Sequence, residues 1–291
     1  MPFFDDRQTE FAMQSYNNTE WAPPGLHIHP HNEMMVVLEN TKTKISINGK
    51  VDYVRQPFIA FFPPFCLHQV NFLGVRGTNR FLYYFEDKLM NSYSEVFKAF
   101  EPYRHSSAVI FLLPEELAQK QLSLHNDALE NVDDTLLSKL MFMTSLHILL
   151  KGKDNCELIT ASDQRSHIVP IIRYITEHFH ENLTAESVAQ QFFISRAKLN
   201  RDFREYTTVS FHQFLSELRV NKAQFMLKQG YSIQEIANSV GFDNVSYFCH
   251  FFKKIKGMTP LQFAKKHHFP SRTKRIDDTA ERSSSAIIAQ K

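Results

Sequence analysis

The sequence has few cysteines, and it has no long apolar run. Its three cysteines, Cys66, Cys156 and Cys249, are scattered over 291 residues and form no CxxC pair. An odd, scattered set argues against a disulfide framework and for a reducing compartment. No stretch of 18 apolar residues occurs, and the N-terminus has no basic segment followed by an apolar one. We therefore expect an unexported, cytoplasmic protein that does not bind a membrane.

The residue patterns of common enzyme classes are also missing. The chain has only 8 glycines, and none of them forms a loop of the kind that cradles phosphate. No set of serine, histidine and aspartate residues suggests nucleophilic catalysis. We expect no enzymatic activity and no cofactor.

The C-terminal half contains a duplicated sequence pattern between residues 183 and 264. Ser232, Ile236 and Ala237 stand 48 positions after Thr184, Val188 and Ala189, while Phe248, Phe252 and Phe263 stand 49 positions after Leu199, Phe203 and Phe214. A shared period with a slip of one residue indicates that one supersecondary unit was used twice.

Each copy has the pattern of a helix, a tight turn and a second helix. In the second copy, residues 232–235 have the spacing of a capping box, and Gly241 follows the last periodic residue of the first helix. Asn244 is then a suitable N-cap for the next helix. The small residues Ala189 and Ala237 allow two helices to cross closely. This pattern predicts a helix-turn-helix motif, whose second helix, here called the reading helix, enters a major groove of DNA.

A third helix is predicted between the two copies. Residues 210–213, Ser-Phe-His-Gln, have capping-box spacing, and the apolar pattern continues to Gly230. A continuous helix is stiff, so it would hold the two motifs at a fixed separation. At a separation of roughly 34 Å, both reading helices could face the same side of a duplex.

The second copy carries the residues of a known family. The string from Ile233 to Phe263, IQEIANSVGFDNVSYFCHFFKKIKGMTPLQF, resembles the AraC/XylS family of bacterial transcription regulators, and the first copy resembles the other half of its DNA-binding domain. The resemblance covers residues 166–268. Thr207-Thr208, where a glycine is usual, and Ala264, where arginine is common, depart from the pattern. The resemblance implies a DNA-binding regulator, a homodimer on promoter DNA that contacts RNA polymerase if it activates.

The charge distribution agrees with a DNA-binding C-terminal half. Residues 1–165 carry 15 Lys and Arg against 20 Asp and Glu, whereas residues 166–275 carry 16 against 8. Basic charge is thus concentrated where the repeated unit lies, as phosphate neutralisation requires.

The family pattern places candidate DNA contacts on both reading helices. They are Arg196, Ala197, Asn200 and Arg201 on the first helix, Asn244, Val245, Ser246, Cys249 and His250 on the second, and Lys253 and Lys254 as phosphate contacts. Arginine can bind guanine and asparagine can bind adenine through two hydrogen bonds each. We therefore expect the first motif to supply more base specificity and the second to depend more on phosphate contacts.

The N-terminal half has the pattern of a β-domain. Residues 34–38 are a short buried run, and residues 44–47 alternate before Asn48-Gly49, a strong hairpin signal. Further strands are predicted over residues 58–62 and 80–85. Short strands at close spacing predict a small barrel or jelly roll, and this region resembles the cupin-like domain of many AraC-family proteins.

A group of histidines lies at the start of this β-domain. In GLHIHPHNEMMVVLE, His29, His31 and Glu33 fall near the cupin histidine-glutamate motif, and His68 falls near the second motif. Alternation along one strand would put His27, His29 and His31 on the same face. Such residues hold a divalent metal in cupin enzymes, but in the regulator branch they usually line a metal-free pocket.

We expect His29, His31, Glu33 and His68 to bind a small polar effector. By analogy with relatives, sugars are candidates for this effector. We expect these residues to bind no metal. Two alternatives remain. One is a metal-dependent cupin enzyme fused to a DNA-binding module. The other is a constitutive DNA binder with an inert barrel.

The predicted fold class is α+β with two domains. A cupin-like effector and dimerisation domain over residues 1–150 ends in helices, the last rich in leucine from Leu136 to Leu150. Residues 151–166 lack periodicity and are predicted to be a linker. An all-α DNA-binding domain follows over residues 167–268, and residues 269–291 are predicted to be a disordered tail.

Overall fold

The computed structural model describes residues 3–4, 11–16, 26–73, 80–104, 107–126, 135–162 and 167–267. The predicted tail over residues 269–291 lies outside this part. The chain forms two compact units. Unit 1 comprises Met1–Arg173 and Arg201–Val209, and unit 2 comprises Tyr174–Asn200 and Ser210–Lys291.

The described part of unit 1 contains eleven strands in two sheets. The strands are β1 (Phe3–Phe4), β2 (Phe11–Tyr16), β3 (His27–Ile28), β4 (Asn32–Val37), β5 (Thr43–Ile47), β6 (Lys50–Val54), β7 (Phe58–Phe62), β8 (His68–Phe72), β9 (Arg80–Phe85), β10 (Ser107–Leu112) and β11 (Glu157–Ser162). One sheet has the order β1-β3-β8-β5-β6 and the other the order β11-β10-β7-β4-β9-β2. Only the β1–β3 pair is parallel among these strands.

The six-stranded sheet is buried on both faces. In β4, Met35 and Val37 belong to an apolar cluster that also contains Ile45 and Val70 of the five-stranded sheet. The alternate β4 residues, Met34 and Val36, belong to a second cluster on the opposite face. This explains why β4 has a continuous apolar run instead of an alternating one, because side chains of a strand point to its two faces in turn.

Three helices cover the outer face of the six-stranded sheet. They are α1 (Asp87–Ser92), α2 (Glu115–Asn126) and α3 (Thr135–Gly152), with short 3-10 turns at Val96–Ala99, Glu101–Tyr103 and Lys153–Asn155. Phe142, Leu146 and Leu149 of α3 pack into the same cluster as Met34 and Val36. The helices predicted to follow the strands are therefore present, and one face of α3 is part of the core.

Two sequence expectations for unit 1 need correction. The strands were expected to form a small barrel or jelly roll; in the described part of the chain they form two sheets and no closed barrel, so the barrel form of this expectation is wrong. The linker expected at residues 151–166 contains β11, which pairs along its whole length with β10. Most of β11 has exposed or half-exposed side chains at an edge of the sheet, so its sequence lacks the apolar alternation that predicts a strand.

The helical part of the chain begins at α4 (Ile168–Glu177). It continues with α5 (Ala185–Gln191), α6 (Arg196–Thr207), α7 (Phe211–Lys228), α8 (Ile233–Ser239), α9 (Val245–Lys256) and α10 (Pro260–Lys266). The capping box predicted at Ser232 is present, and Ser210 caps α7 through the Gln213 amide. The Gln213 side chain bonds Glu217 and so does not complete a second box. No described helix has both the length and the apolar character needed to cross a membrane.

Arg219 of α7 connects separate segments of unit 2. Its Nε donates to the Phe179 carbonyl at 2.8 Å and a terminal nitrogen donates to the Glu181 carbonyl at 2.7 Å. The same guanidinium lies over the Phe242 ring, 5.4 Å from its centroid. One side chain therefore contacts the segment before α5 and the turn after α8.

Candidate functional site

The two helix-turn-helix motifs, α5–α6 and α8–α9, have matching turns. In the first, the Ile194 amide donates to the Ala189 carbonyl at 3.0 Å, and in the second the Phe242 amide donates to the Ala237 carbonyl at 2.9 Å. Each turn also has a left-handed residue, Phe193 with φ 54° in the first motif and Gly241 with φ 82° in the second. The duplication predicted from sequence spacing thus extends to backbone conformation.

The first reading helix, α6, presents an open polar face. Arg196, Ala197, Asn200 and Arg201 are all exposed, whereas Leu199 and Phe203 are buried. The sequence assigned the inward and outward positions of this helix in the same way. Arginine and asparagine side chains on an exposed face can reach base edges without rearrangement of the core.

The second reading helix, α9, has a smaller open face than expected. Asn244, Ser246 and His250 are exposed, and the Asn244 side chain caps the helix by accepting from the Tyr247 amide at 3.0 Å. Val245 and Cys249 were expected on the exposed face, but both are half-buried and pack against the core of unit 2. An amphipathic helix has boundary positions between its two faces, and these two residues occupy them.

Tyr247 is an exposed residue of α9 that the sequence interpretation left out. Its side chain is 58% exposed, and its ring lies 5.9 Å from Phe242 and 6.1 Å from Phe251, between ring centroids. Position alone could have identified it, because it is three residues after Asn244. Tyr247 precedes the buried Phe248, and two adjacent aromatic residues are easily assigned together to the core.

The lysines at the end of α9 differ in their surroundings. Lys253 and Lys254 are exposed, so both can reach a phosphate. Lys256 is half-buried, and its Nζ donates to the Asn221 side chain at 3.1 Å. Burial lowers the pKa of Lys256, although the charge of Glu217 opposes this change. Lys256 therefore has a structural contact, and the two exposed lysines remain the candidates for phosphate binding.

Unit 1 contains a buried cluster of four side chains, His27, His29, Glu33 and His68, here called the histidine cluster. One potential ligand atom from each residue lies within 4.8 Å of the others. His29 Nε2 is 3.0 Å and His68 Nε2 is 3.7 Å from the same Glu33 carboxylate oxygen, Oε2. His27 lies in β3, Glu33 in β4 and His68 in β8, whereas His29 lies between β3 and β4. His27 pairs with His68 across β3 and β8.

The other ring nitrogen of two histidines is bonded to the backbone. His29 Nδ1 donates to the His31 carbonyl at 2.8 Å, and His68 Nδ1 donates to the Cys66 carbonyl at 3.0 Å. A carbonyl can only accept, so both rings carry a proton on Nδ1. In their neutral form they direct Nε2 lone pairs at Glu33. Two lone pairs and a carboxylate repel one another unless a positive charge lies among them.

The carboxyl group of Glu33 is held in its ionised form. Burial by itself raises its pKa, but hydrogen bonds and charge interactions with His29 and His68 outweigh burial and hold the pKa well below its usual range. A buried carboxylate requires a positive partner. The positive charge can be a proton on an imidazole or a bound cation.

The residues of the histidine cluster fit a divalent metal ion. Imidazole nitrogens with one carboxylate suit zinc, iron, nickel and manganese, and histidines that bind metal usually donate their second ring nitrogen to a carbonyl or carboxylate. In a tetrahedral site with bonds of about 2.1 Å the ligand atoms lie about 3.4 Å apart, so the side chains would have to move together from a spread of up to 4.8 Å when a metal binds.

The histidine cluster differs by one residue from the set that the sequence predicted to bind an effector. His29, His31, Glu33 and His68 are all buried. His31 stacks on His29 with ring centroids 4.3 Å apart, but His27 takes its place among the possible ligands. Strand β3 ends at Ile28, before Pro30, so the expected alternation of three histidines along one strand does not occur.

Comparison with known proteins identifies the helical region. A family model described as "Helix-turn-helix domain" matches residues 188–266. The uncharacterized HTH-type transcriptional regulator YijO of Escherichia coli is 33% identical over 114 residues, which cover 38% of this chain and 40% of that protein. The HTH-type transcriptional activator RhaS of Salmonella schwarzengrund is 29% identical over 42% of this chain and 43% of its own length. These matches span less than half of each relative.

A solved crystal structure resembles this chain over most of its length. It is wild-type ToxT from Vibrio cholerae with a bound unsaturated fatty acid, which is 14% identical with a TM-score of 0.50 and covers 88% of this chain and 95% of that one. At this identity the likeness concerns the fold alone. Independently of this likeness, the duplicated motifs and the family match lead to one assignment: residues 188–266 of this chain form a helix-turn-helix domain of the type found in AraC-family regulators.

Proposed function

We propose that the protein is a sequence-specific DNA-binding transcription regulator and that unit 1 controls it by binding a ligand at the histidine cluster. The open face of α6 carries this proposal. Arg196, Asn200 and Arg201 lie exposed on the second helix of a helix-turn-helix motif. The basic excess of residues 166–275 supplies the positive charge that binding to a phosphate backbone needs.

Selection of DNA by the full chain tests the proposal. The purified protein is incubated with duplexes containing a random segment, and bound fragments are sequenced over several rounds. We expect a motif with two blocks separated by about one helical turn, because each reading helix would contact its own major groove. Enrichment of a single block would show that only one reading helix contacts bases. Absence of any enrichment would contradict sequence-specific binding.

The histidine cluster is the proposed ligand site because it places ionisable groups in the interior of unit 1. Glu33 is 2% exposed and His68 is fully buried, and burying such groups is costly unless a partner compensates. A small polar effector, for which sugars are candidates by resemblance, would compensate with hydroxyl groups. Activation or repression would then follow from different effector affinities of two conformations.

A divalent cation is the second candidate for this site. The two Nε2 atoms directed at Glu33 favour it, because a cation would remove the repulsion among these groups. When bound, a metal ion would supply a fixed positive charge, with His27, His29, Glu33 and His68 as its ligands. The cluster would then sense metal, or use the metal to hold a polar effector.

Metal titration of the full chain separates the two candidates. The protein is first treated with a chelator, and Zn²⁺, Ni²⁺ and Mn²⁺ are then titrated by calorimetry and thermal shift. A metal site predicts one ion per chain and a higher melting temperature. His68→Asn should abolish both effects, because asparagine can keep the donor to Cys66 but lacks Nε2. His147→Asn, at an exposed position of α3, is the control. Equal binding by wild type and His68→Asn would exclude the metal reading.

A further inference from the structure

Phe65 connects the histidine cluster of unit 1 to helix α6, which carries candidate DNA contacts. It lies in the loop over residues 63–67, between β7 and β8, and is buried with a left-handed backbone at φ 65°. Its amide donates to the His29 carbonyl at 2.8 Å. Its carbonyl accepts from the Tyr206 hydroxyl at 3.1 Å. One residue thus bonds a member of the histidine cluster and a residue of α6.

The same loop has a second bond to the histidine cluster. The Cys66 carbonyl accepts from His68 Nδ1 at 3.0 Å. His29 and His68, which both face Glu33, are therefore connected to adjacent residues of the loop. A shift of the His68 ring on ligand binding would change the geometry at Cys66, and a shift of the His29 backbone would change it at Phe65.

The other end of the connection lies on the back of α6. Arg201–Val209 belongs to unit 1, together with the two sheets. Tyr206 is 2% exposed, whereas Asn200 and Arg201 of the same helix are exposed. The Tyr206 contact therefore leaves the candidate reading face open.

We propose that the 63–67 loop is a relay that couples the state of the histidine cluster to the position of α6. Tyr206 is its positioning residue. A helix moves as a rigid element, so a displacement at Tyr206 also displaces Arg201. A bulky residue in the left-handed region is uncommon, and such conformations persist only where surrounding contacts fix them. Both backbone groups of Phe65 are engaged in such contacts. The inference rests on the proposed function only for the roles of the cluster and of α6.

Hydrogen exchange followed by mass spectrometry tests the relay without DNA and without an identified ligand. The full chain is compared as wild type, Glu33→Gln, Tyr206→Phe and the double variant. Glu33→Gln removes the charge of the cluster, and Tyr206→Phe removes the bond to Phe65. We expect each single change to accelerate exchange of the peptide covering residues 202–209 by about two- to ten-fold, the effect of one lost hydrogen bond on a local opening.

The double variant decides the matter. If the loop transmits the change, Glu33→Gln has no further effect on residues 202–209 once Tyr206→Phe is present. Independent, multiplicative effects would overturn the relay, and so would an unchanged peptide in Glu33→Gln. If Glu33→Gln does not fold, His68→Asn provides the same comparison, because it removes Nε2 and can keep the donor to Cys66.

Ser145→Ala serves as the control. It removes a buried hydroxyl that donates to Gln121 at 2.8 Å, in unit 1 but remote in sequence from the loop. Exchange of residues 202–209 should not change in this variant. If it accelerates equally, the response is general loosening and the relay is wrong. A failure of DNA selection would contradict the proposed function and leave this measurement unaffected.

Discussion

Arg201 and Asp202 are joined by a side-chain hydrogen bond at the edge of the first reading face. Arg201 Nε donates to Asp202 Oδ1 at 3.2 Å, and Asp202 Oδ2 lies 2.9 Å from His167 Nε2. The Arg201 side chain is 64% exposed while that of Asp202 is 10% exposed. The carboxylate restrains the guanidinium, so less conformational entropy would be lost in the base contact proposed for Arg201.

Replacing Arg201 should therefore change specificity more than affinity. We expect Arg201→Ala to lose discrimination at one or two base pairs, worth about 1–3 kcal/mol. Affinities for the selected sequence and for its single-base variants, measured by fluorescence anisotropy, check this. Equal weakening on every sequence would show that Arg201 contacts only the backbone.

Lys254 should have the opposite behaviour. Because it is exposed at the end of α9, Lys254→Ala should weaken binding to all sequences alike and reduce the slope of log K against log salt by about 1. Binding curves at four salt concentrations measure the slope. An unchanged slope would exclude a phosphate contact, and Lys228→Ala on α7 is a charge-matched control.

Gly241 should not tolerate a side chain. A Cβ there would lie 2.6 Å from the His180 carbonyl oxygen and 2.9 Å from an Arg219 nitrogen. Left-handed backbone costs a non-glycine residue about 1–2 kcal/mol, and overpacking adds about 1–3 kcal/mol. Gly257 has φ 74° but open space around its Cβ position, so Gly257→Ala should show only the backbone cost. Chemical denaturation of both variants gives the difference, and equal losses would contradict the clash.

The stability of unit 1 should fall in mild acid because of His125. This ring is fully buried, its Nδ1 donates to the Gln121 carbonyl, and its Nε2 accepts from the Tyr83 hydroxyl at 2.9 Å. Burial lowers its pKa to about 4, although the Gln121 bond opposes the change. The neutral ring is favoured in the fold, so its contribution is complete above the unfolded pKa of about 6.5 and is lost as pH falls toward 4.

The size of this effect is about 3 kcal/mol, at about 1.4 kcal/mol per pKa unit. Thermal unfolding between pH 7.5 and 4 should show a shallower decline for His125→Gln, which offers an acceptor to Tyr83 but does not titrate. Parallel declines for both proteins would assign the acid sensitivity to other groups.

Local chemistry made the helical region predictable from sequence. Ser232 and Asn244 cap their helices as expected, and Gly257 closes α9 in the left-handed conformation. These interactions involve residues within four positions of one another, so the sequence contains them directly. Thr208, in the pair that stands where the family resemblance leads one to expect glycine, has a left-handed φ of 64°, a conformation that glycine adopts readily.

Features that depend on distant residues were predicted less well. β11 was missed because an edge strand with exposed side chains has little apolar pattern. His27 joined the histidine cluster because the short β3 ends before Pro30, and only the pairing with β8 places it beside His68. The contacts of Phe65 with His29 and Tyr206 connect residues up to 141 positions apart, and no local pattern predicts them.

The contacts of Arg219 tie α7 to the segment before the first helix-turn-helix motif and to the turn of the second motif. The length of α7 therefore helps to set the separation of the two motifs. Inserting one residue into this helix would turn everything beyond it by about 100°, and the guanidinium could then no longer reach both of its anchoring carbonyls and the aromatic ring. If the protein binds DNA as proposed, the length of α7 would fix the spacing of the two promoter blocks, and a different spacing would require a different helix length and different contacts of Arg219.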